Sequence, residues 1–237
     1  MEDDIIVFKE IKFHNYEFSK LFSIINEGGY LVAPAASALT KIKKDSKYHE
    51  SLIKSDVAIL DSGFFCILLR VFKRKKVNKF SGYLFLKNFL NLKFNKETKF
   101  LCIDPNLEES KANSSYLNAK NLTNHKSYIA PKYNNEEIID NNLLEVIKNF
   151  RPKYVIINLG GGTQERLALY LKKNCNYKIS IICTGAAISF LTKKQAPIND
   201  WIDKLYLGWL IRTLYNPKKF LLRTIKSVSL INLFLKD

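Results

Sequence analysis

A glycine turn between an apolar segment and a helical pattern is the first place where this sequence could do chemistry. Residues 155–157 are β-branched and apolar without polar alternation, which is typical of a strand buried on both faces. Gly160, Gly161 and Gly162 follow, and residues 163–172 return to helical spacing. Such a turn can hold an anion, because bare backbone approaches closely and unpaired N–H groups of the first helical turn point outward. A turn that only reverses the chain explains the same residues.

The glycine turn matches neither of the two common phosphate-binding motifs. It lacks the Gly-Lys-Ser/Thr of a Walker loop. Arg166 and Leu167 occupy positions that a G-x-G-x-x-G fingerprint would need. The sequence therefore disfavours an enzyme that depends on a dinucleotide.

An acid at the end of a second apolar segment is the best candidate for a catalytic group. Residues 56–63 have the pattern of a buried strand that ends in Asp61, Ser62 and Gly63. Ligands gather outside the carboxyl ends of parallel strands, so Asp61 is well placed to act. Asp is also a common helix N-cap, and residues 64–72 are predicted to form a helix, so capping is an equal alternative.

A dense basic run follows that predicted helix. Residues 73–76 and Lys79 are basic, and Ser81 and Gly82 then open a further predicted helix over residues 83–92. The run is either the solvated end of a helix or a contact for phosphates and lipid headgroups.

The charge balance favours an anionic partner. The 237 residues include 38 Lys and Arg against 22 Asp and Glu, which gives a formal net charge of +16. The candidates are nucleic acid, an anionic membrane and phosphate-bearing substrates. No RRM, KH or helix-turn-helix signature is present, so we expect no nucleic-acid partner. The cysteines and histidines have no metal-binding or disulfide spacing, so we expect no metal and no cofactor.

Strand and helix patterns alternate along the chain. A strand or hairpin is predicted at residues 5–13, and strands are predicted at residues 30–32, 56–63, 99–103, 127–130, 155–157 and 178–184. Helices are predicted at residues 16–26, 37–45, 46–54, 64–72, 83–92, 113–124, 136–150 and 163–172. This order predicts an α/β protein with a Rossmann-like parallel sheet flanked by helices.

The C-terminal part has a different character. We expect a catalytic domain over residues 1–200 and a basic helical appendage over residues 201–237. Residues 212–226 carry five cations and no acid beside bulky apolar side chains, as an interfacial membrane helix does. A helix docked on the core is the alternative. The acidic N-terminus is unlike a secretory signal, and no apolar stretch reaches the ~20 residues of a spanning helix, so we expect a cytoplasmic protein at the inner face of the membrane.

The ordered motifs resemble the WecG/TagA/CpsF bacterial glycosyltransferases over nearly the whole chain. The strongest similarity is a strand followed by a glycine turn and Gln-Glu, then Gly-Ala, Ala-Pro and a Gly-Trp…Arg…Pro…Arg tail. These motifs lie at residues 152–166, 185–191, 195–197 and 207–223. A second segment, residues 45–82, has the strand that ends in Asp-Ser-Gly and a later basic residue.

The resemblance implies inverting transfer of a sugar from a UDP donor to a polyprenyl-diphosphate-linked sugar, without a metal motif. Asp61 matches the proposed base of the family. The substrate-binding residues would be Lys79, Ser81, Gly82, Gly160, Gly161, Gly162, Thr163, Gln164, Glu165, Gly185, Ala186, Arg212 and Arg223. The glycine turn is then interpreted as the diphosphate loop, and an anionic membrane surface as a partner. The sequence leaves a homo-oligomer open.

The chain departs from the family pattern at four positions. Ala33 and Ala35 replace a Thr and an Asn, Ser189 replaces a later Asp, and Gly208 replaces the Glu before Trp. A changed donor or acceptor is expected, and retention of Asp61 argues against loss of activity. The alternative function is a non-catalytic α/β protein that binds membranes or nucleic acid, which would not need that acid.

Overall fold

The structure is a computed structural model that describes residues 4–134, 137–192 and 225–235. Its strands are β1 (Ile5–Phe8), β2 (Ile11–His14), β3 (Gly29–Val32), β4 (Val57–Ile59), β5 (Phe100–Asp104), β6 (His125–Ile129), β7 (Tyr154–Ile157) and β8 (Ser180–Cys183). They form one sheet in the order β1-β2-β4-β3-β8-β7-β5-β6. All neighbours are parallel except β1 and β2, which form an antiparallel hairpin. The predicted α/β fold with a mostly parallel sheet is confirmed.

The helices of the described residues lie on both faces of the sheet. They are α1 (Phe18–Asn26), α2 (Ala36–Leu39), α3 (Ser46–Ile53), α4 (Gly63–Lys73), α5 (Gly82–Leu90), α6 (Leu107–Ala119), α7 (Asn141–Phe150), α8 (Thr163–Asn174), α9 (Ala187–Leu191) and α10 (Ile231–Phe234). One apolar core contains side chains of α2, α3, α4, α7, α8 and α10. A second core contains side chains of α1, α5, α6 and α9. The sheet separates the two layers.

The central strands are buried on both faces. Every residue of β4, β5, β7 and β8 is buried, in agreement with their mostly apolar sequences. The edge strands differ: β1 alternates exposed and buried residues, and β6 is partly to fully exposed. Because the inner strands are covered by both layers, ligands can reach them only at their ends.

Two helices begin more than two residues away from the start that the sequence predicted. Helix α6 begins at Leu107 because the Asn106 side chain accepts a hydrogen bond from the Glu109 amide at 2.9 Å. The predicted bounds of residues 113–124 were wrong, since buried polar side chains on this helix obscure its apolar spacing. Helix α7 begins at Asn141 rather than residue 136, because Asp140 caps it through the Leu143 amide at 2.9 Å.

The C-terminal appendage is described only over residues 225–235. There α10 packs against α4, and the Phe234 ring lies 5.7 Å from that of Phe72 and 4.5 Å from that of Phe8. The proposed domain boundary after residue 200 lies outside the described residues. In the described ranges, no helix combines the length and the apolarity needed to cross a membrane.

Gly29 is a point where β3 cannot accept a side chain. Its φ is +98°, and a Cβ would collide with the Asp56 carboxylate. That carboxylate accepts hydrogen bonds from the Tyr30 amide at 2.8 Å and from Lys172 Nζ at 2.8 Å. Gly29→Ala therefore strains the backbone and displaces these bonds. We expect the free energy of unfolding in urea to fall by about 2–4 kcal/mol.

Gly160→Ala is the matched control, because no atom lies within 4 Å of a Cβ there and its φ is outside the left-handed region. Its free energy of unfolding should change by less than about 1 kcal/mol. Equal stability of the two variants would show that the Asp56 contact does not restrict Gly29.

Candidate active site

A cavity of about 410 Å³ opens at the carboxyl ends of five parallel strands. Each strand is followed directly or closely by a residue of the lining: Ala33 after β3, Asp61 after β4, Pro105 after β5, Asn158 after β7 and Thr184 after β8. Ligands of open α/β sheets bind in this crevice. The volume lies within the roughly 300–1,000 Å³ of small-molecule sites.

The two helical layers supply opposite walls of the cavity. We name them the cationic wall and the acidic wall. The cationic wall, on the side of α2, α8 and α10, contains Ser37, Ala38, Lys41, Gly160, Gly161, Gln164, Glu165 and Lys226. The acidic wall, on the side of α5, α6 and α9, contains Tyr83, Glu109, Ala187, Ser189 and Phe190. The names refer to the accessible charges, since Glu165 is fully buried.

Asp61 lies at the edge of the cavity, and the amide of Gly82 fixes its carboxylate. The Gly82 N–H donates to Asp61 Oδ1 at 2.8 Å. A Cβ on Gly82 would lie 3.0 Å from that of Ala33 and 3.3 Å from that of Thr184, so glycine lets the start of α5 approach the strand ends. The alternative that Asp61 caps α4 is wrong. Ser62 is the cap, and its Oγ accepts from the Phe65 amide at 3.3 Å.

Two predicted binding residues near Asp61 do not reach the cavity. Ser81 is buried and caps α5, since its Oγ accepts from the Leu84 amide at 3.1 Å. Lys79 is half-buried and is not part of the lining. Ser81 therefore fixes the start of the helix that carries Gly82, and ligand binding by Lys79 and Ser81 stays a prediction.

The glycine turn is partly closed by its own hydrogen bonds. The Gly162 amide donates to Glu165 Oε2 at 2.6 Å, and the amides of Thr163 and Gln164 both donate to the Gly160 carbonyl at 3.2 Å. The expectation that the first-turn N–H groups point outward unpaired is wrong for these three amides. Gly160 and Gly161 are exposed and line the cavity, whereas Gly162 and Thr163 do not.

Gln164 connects the loops that follow β7 and β8. Its Nε2 donates to Glu165 Oε1 at 3.0 Å, and its Oε1 accepts from the Gly185 amide at 2.8 Å. Gly185, with φ +60°, and Ala186 line the cavity with it. Burial raises the pKa of the Glu165 carboxyl, although the hydrogen bonds from Gln164 and Gly162 oppose that rise. Gln164 thus positions both loops.

Sequence reasoning missed the acid on the opposite wall. Glu109 is half-buried and lines the cavity, and its Oε2 accepts from Ser189 Oγ at 2.9 Å. The first residues of α6 are polar, so the spacing of apolar residues could not show which way this side chain faces. The other two predicted residues, Arg212 and Arg223, lie outside the described residues.

Asp104 was also missed. It ends β5 fully buried, and its Oδ1 accepts from Asn158 Nδ2 at 2.8 Å and from Asn113 Nδ2 at 2.7 Å. Burial raises the pKa of the Asp104 carboxyl. Its position after a buried strand, the same signal that identified Asp61, could have revealed it. Among the described residues, no group of three or more His, Cys, Asp or Glu side chains could hold a metal.

Comparison with known proteins identifies a family for this chain. The family model described as the glycosyl transferase WecG/TagA/CpsF family matches residues 6–237, nearly the whole chain. A search of curated proteins gave no match. A match of this extent establishes the family and, with it, a glycosyltransferase whose family uses UDP-sugars. The chain belongs to the WecG/TagA/CpsF family of glycosyltransferases.

Proposed function

We propose that the protein transfers a sugar, with inversion, from a UDP-sugar to a polyprenyl-diphosphate-linked acceptor in this cavity, with Asp61 as general base. The family supports a glycosyltransferase in cell-surface polysaccharide synthesis, and the donor, the acceptor and the base are our assignment. The main support for the proposal is the position of Asp61, at a strand end in the crevice where sheets of this type bind ligands.

In the proposed reaction Asp61 takes the proton of the acceptor hydroxyl while its oxygen attacks the anomeric carbon. The bond from that carbon to the diphosphate breaks on the opposite side, so one displacement inverts the configuration. The Gly82 amide holds Asp61 Oδ1 and orients the carboxylate toward the hydroxyl. A carboxylate within hydrogen-bond reach of the reacting proton contributes about 10²–10⁴-fold to the rate.

The leaving UDP gains negative charge, which the cationic wall is suited to stabilise. Lys41 and Lys226 supply positive charge. In the described part of the chain, the amides of Gly160 and Gly161 donate to no protein group, so they can donate to a phosphate. Arg212 and Arg223 remain proposed partners of the diphosphate.

Ala33 and Ala35 line the cavity where the family has a Thr and an Asn. Without that hydroxyl and that amide, the chain has two fewer side-chain groups that could form hydrogen bonds with the donor. This supports a donor or acceptor that differs from those of other family members.

A surface beside the cavity supports docking on an anionic membrane. On α4, Val71 is 65% and Phe72 is 40% exposed, and the exposed basic residues 73–76 follow them. Residues 225–235 pack on α4 and expose Ile225 and Val228. Exposed apolar side chains beside cations are the composition of an interfacial surface. Lys226 lines the cavity next to this surface, which would bring a lipid-linked acceptor to the mouth of the cavity.

Asp61→Asn tests the general base. The variant should lower kcat by about 10²–10⁴-fold on a polyprenyl-diphosphate-linked sugar analogue, because the amide cannot accept the proton. The affinity for UDP should stay within about threefold, since Asn keeps an oxygen for the Gly82 amide. Asp4→Asn is the control, because Asp4 is an exposed acid in a surface ion pair with Lys20. Full activity of Asp61→Asn would show that the base is another group.

Val71→Glu tests the membrane surface. The added negative charge should weaken binding to phosphatidylglycerol vesicles by about tenfold, measured by sedimentation, and binding to phosphatidylcholine vesicles should be weak for both proteins. Ile139→Glu is the matched control, because Ile139 is 67% exposed but precedes α7, away from α4. If both variants lose the same amount of binding to phosphatidylglycerol vesicles, the surface on α4 has no specific role in membrane binding.

A further inference from the structure

The acidic wall presents a carboxylate that two helices hold in place. Asn106 caps α6 through the Glu109 amide at 2.9 Å, which fixes the backbone of Glu109 beside the cavity. Ser189 on α9 donates its hydroxyl to Glu109 Oε2 at 2.9 Å, which fixes the side chain. Ser189 is itself buried. The carboxylate is therefore positioned from both ends and lines the cavity in one defined orientation.

The charges of the cavity are divided between its walls. Lys41 and Lys226 are on the cationic wall with the open amides of Gly160 and Gly161, and this wall suits a diphosphate. The described lining of the acidic wall contains Glu109 and neither Lys nor Arg. A donor whose diphosphate lies on the cationic wall can place its sugar against the acidic wall.

Sugars without charge fit the acidic wall better than sugars with a carboxylate. An ionised carboxylate accepts through two oxygens, so Glu109 can bind sugar hydroxyls while it keeps the bond from Ser189. The rings of Tyr83 and Phe190 lie on the same wall, edge to face at 6.3 Å, and offer an apolar surface to the sugar ring. A uronate would bring a second negative charge next to Glu109, and such like-charge contacts are costly away from water.

We propose that Glu109 determines donor specificity, because it accepts hydrogen bonds from the hydroxyl groups of a neutral hexose and repels a uronic acid. The inference rests on the proposed function, since it assumes that a sugar nucleotide occupies the cavity. Ser189 is a positioning residue.

Binding of paired sugar nucleotides tests the proposal. The probes are UDP, three neutral donors (UDP-glucose, UDP-galactose and UDP-N-acetylglucosamine) and their C6-carboxylate counterparts, each measured by calorimetry. The unmodified protein should bind its best neutral donor at least about tenfold more tightly than the matching uronate. Glu109→Gln keeps an acceptor for Ser189 and removes the charge. In this variant the ratio of the Kd of the uronate to the Kd of the matching neutral donor should fall by about tenfold. The Kd of UDP should stay within about twofold of that of the unmodified protein.

Two further variants separate charge from packing. Glu108→Gln removes the neighbouring acid of the same helical turn, which is exposed and outside the cavity lining, and should leave the ratio unchanged. Glu109→Gln combined with Ser189→Asp moves the negative charge across the 2.9 Å contact and should restore the preference for neutral donors.

The outcomes distinguish this inference from the function on which it rests. An unmodified protein that prefers a uronate, or a ratio that Glu109→Gln leaves unchanged while UDP and the donors bind, overturns the role of Glu109 alone. An unmodified protein that binds neither UDP nor any of the donors overturns the proposed function and this inference with it.

Discussion

The parallel pairing of β3 with both β4 and β8 is the constraint on which the cavity depends. Val32 at the end of β3 is in register with Ala58 on one side and Cys183 on the other, and Cys183 is in register with Ile157. Asp61 and the glycine turn at Gly160 are far apart in the sequence, yet this pairing brings them to the same edge of the sheet. Without it the acid and the turn would not share a cavity.

Buried acids hold the loops that line this cavity. Glu165 and Asp104 are both fully buried, and burial raises the pKa of each carboxyl. A buried carboxyl costs stability unless it is hydrogen-bonded. Here the hydrogen-bond partners are lining residues, Gln164 for Glu165 and Asn158 for Asp104. The polar interior thus fixes the side chains and backbone around a ligand before the ligand arrives.

The sequence predicted the elements better than the hydrogen bonds that connect them. The central strands were predictable because burial on both faces requires uninterrupted apolar residues, and Asp61 was identified by its place at the end of one. The starts of α6 and α7 depend on capping by Asn106 and Asp140, which apolar spacing does not reveal. The position of Glu109 depends on a contact between helices, and one sequence contains no signal for such a contact.

We propose that a sugar nucleotide binds at the carboxyl ends of β3, β4, β5, β7 and β8. Amide hydrogen exchange with and without UDP tests it most directly. We expect protection by UDP at residues 158–165 and 184–189, and little change around a separate cavity of about 490 Å³, which Lys47, Ile139 and Lys173 help to line. Protection confined to that separate cavity, or no protection at concentrations of UDP that inhibit turnover, would show that the nucleotide does not bind at these strand ends.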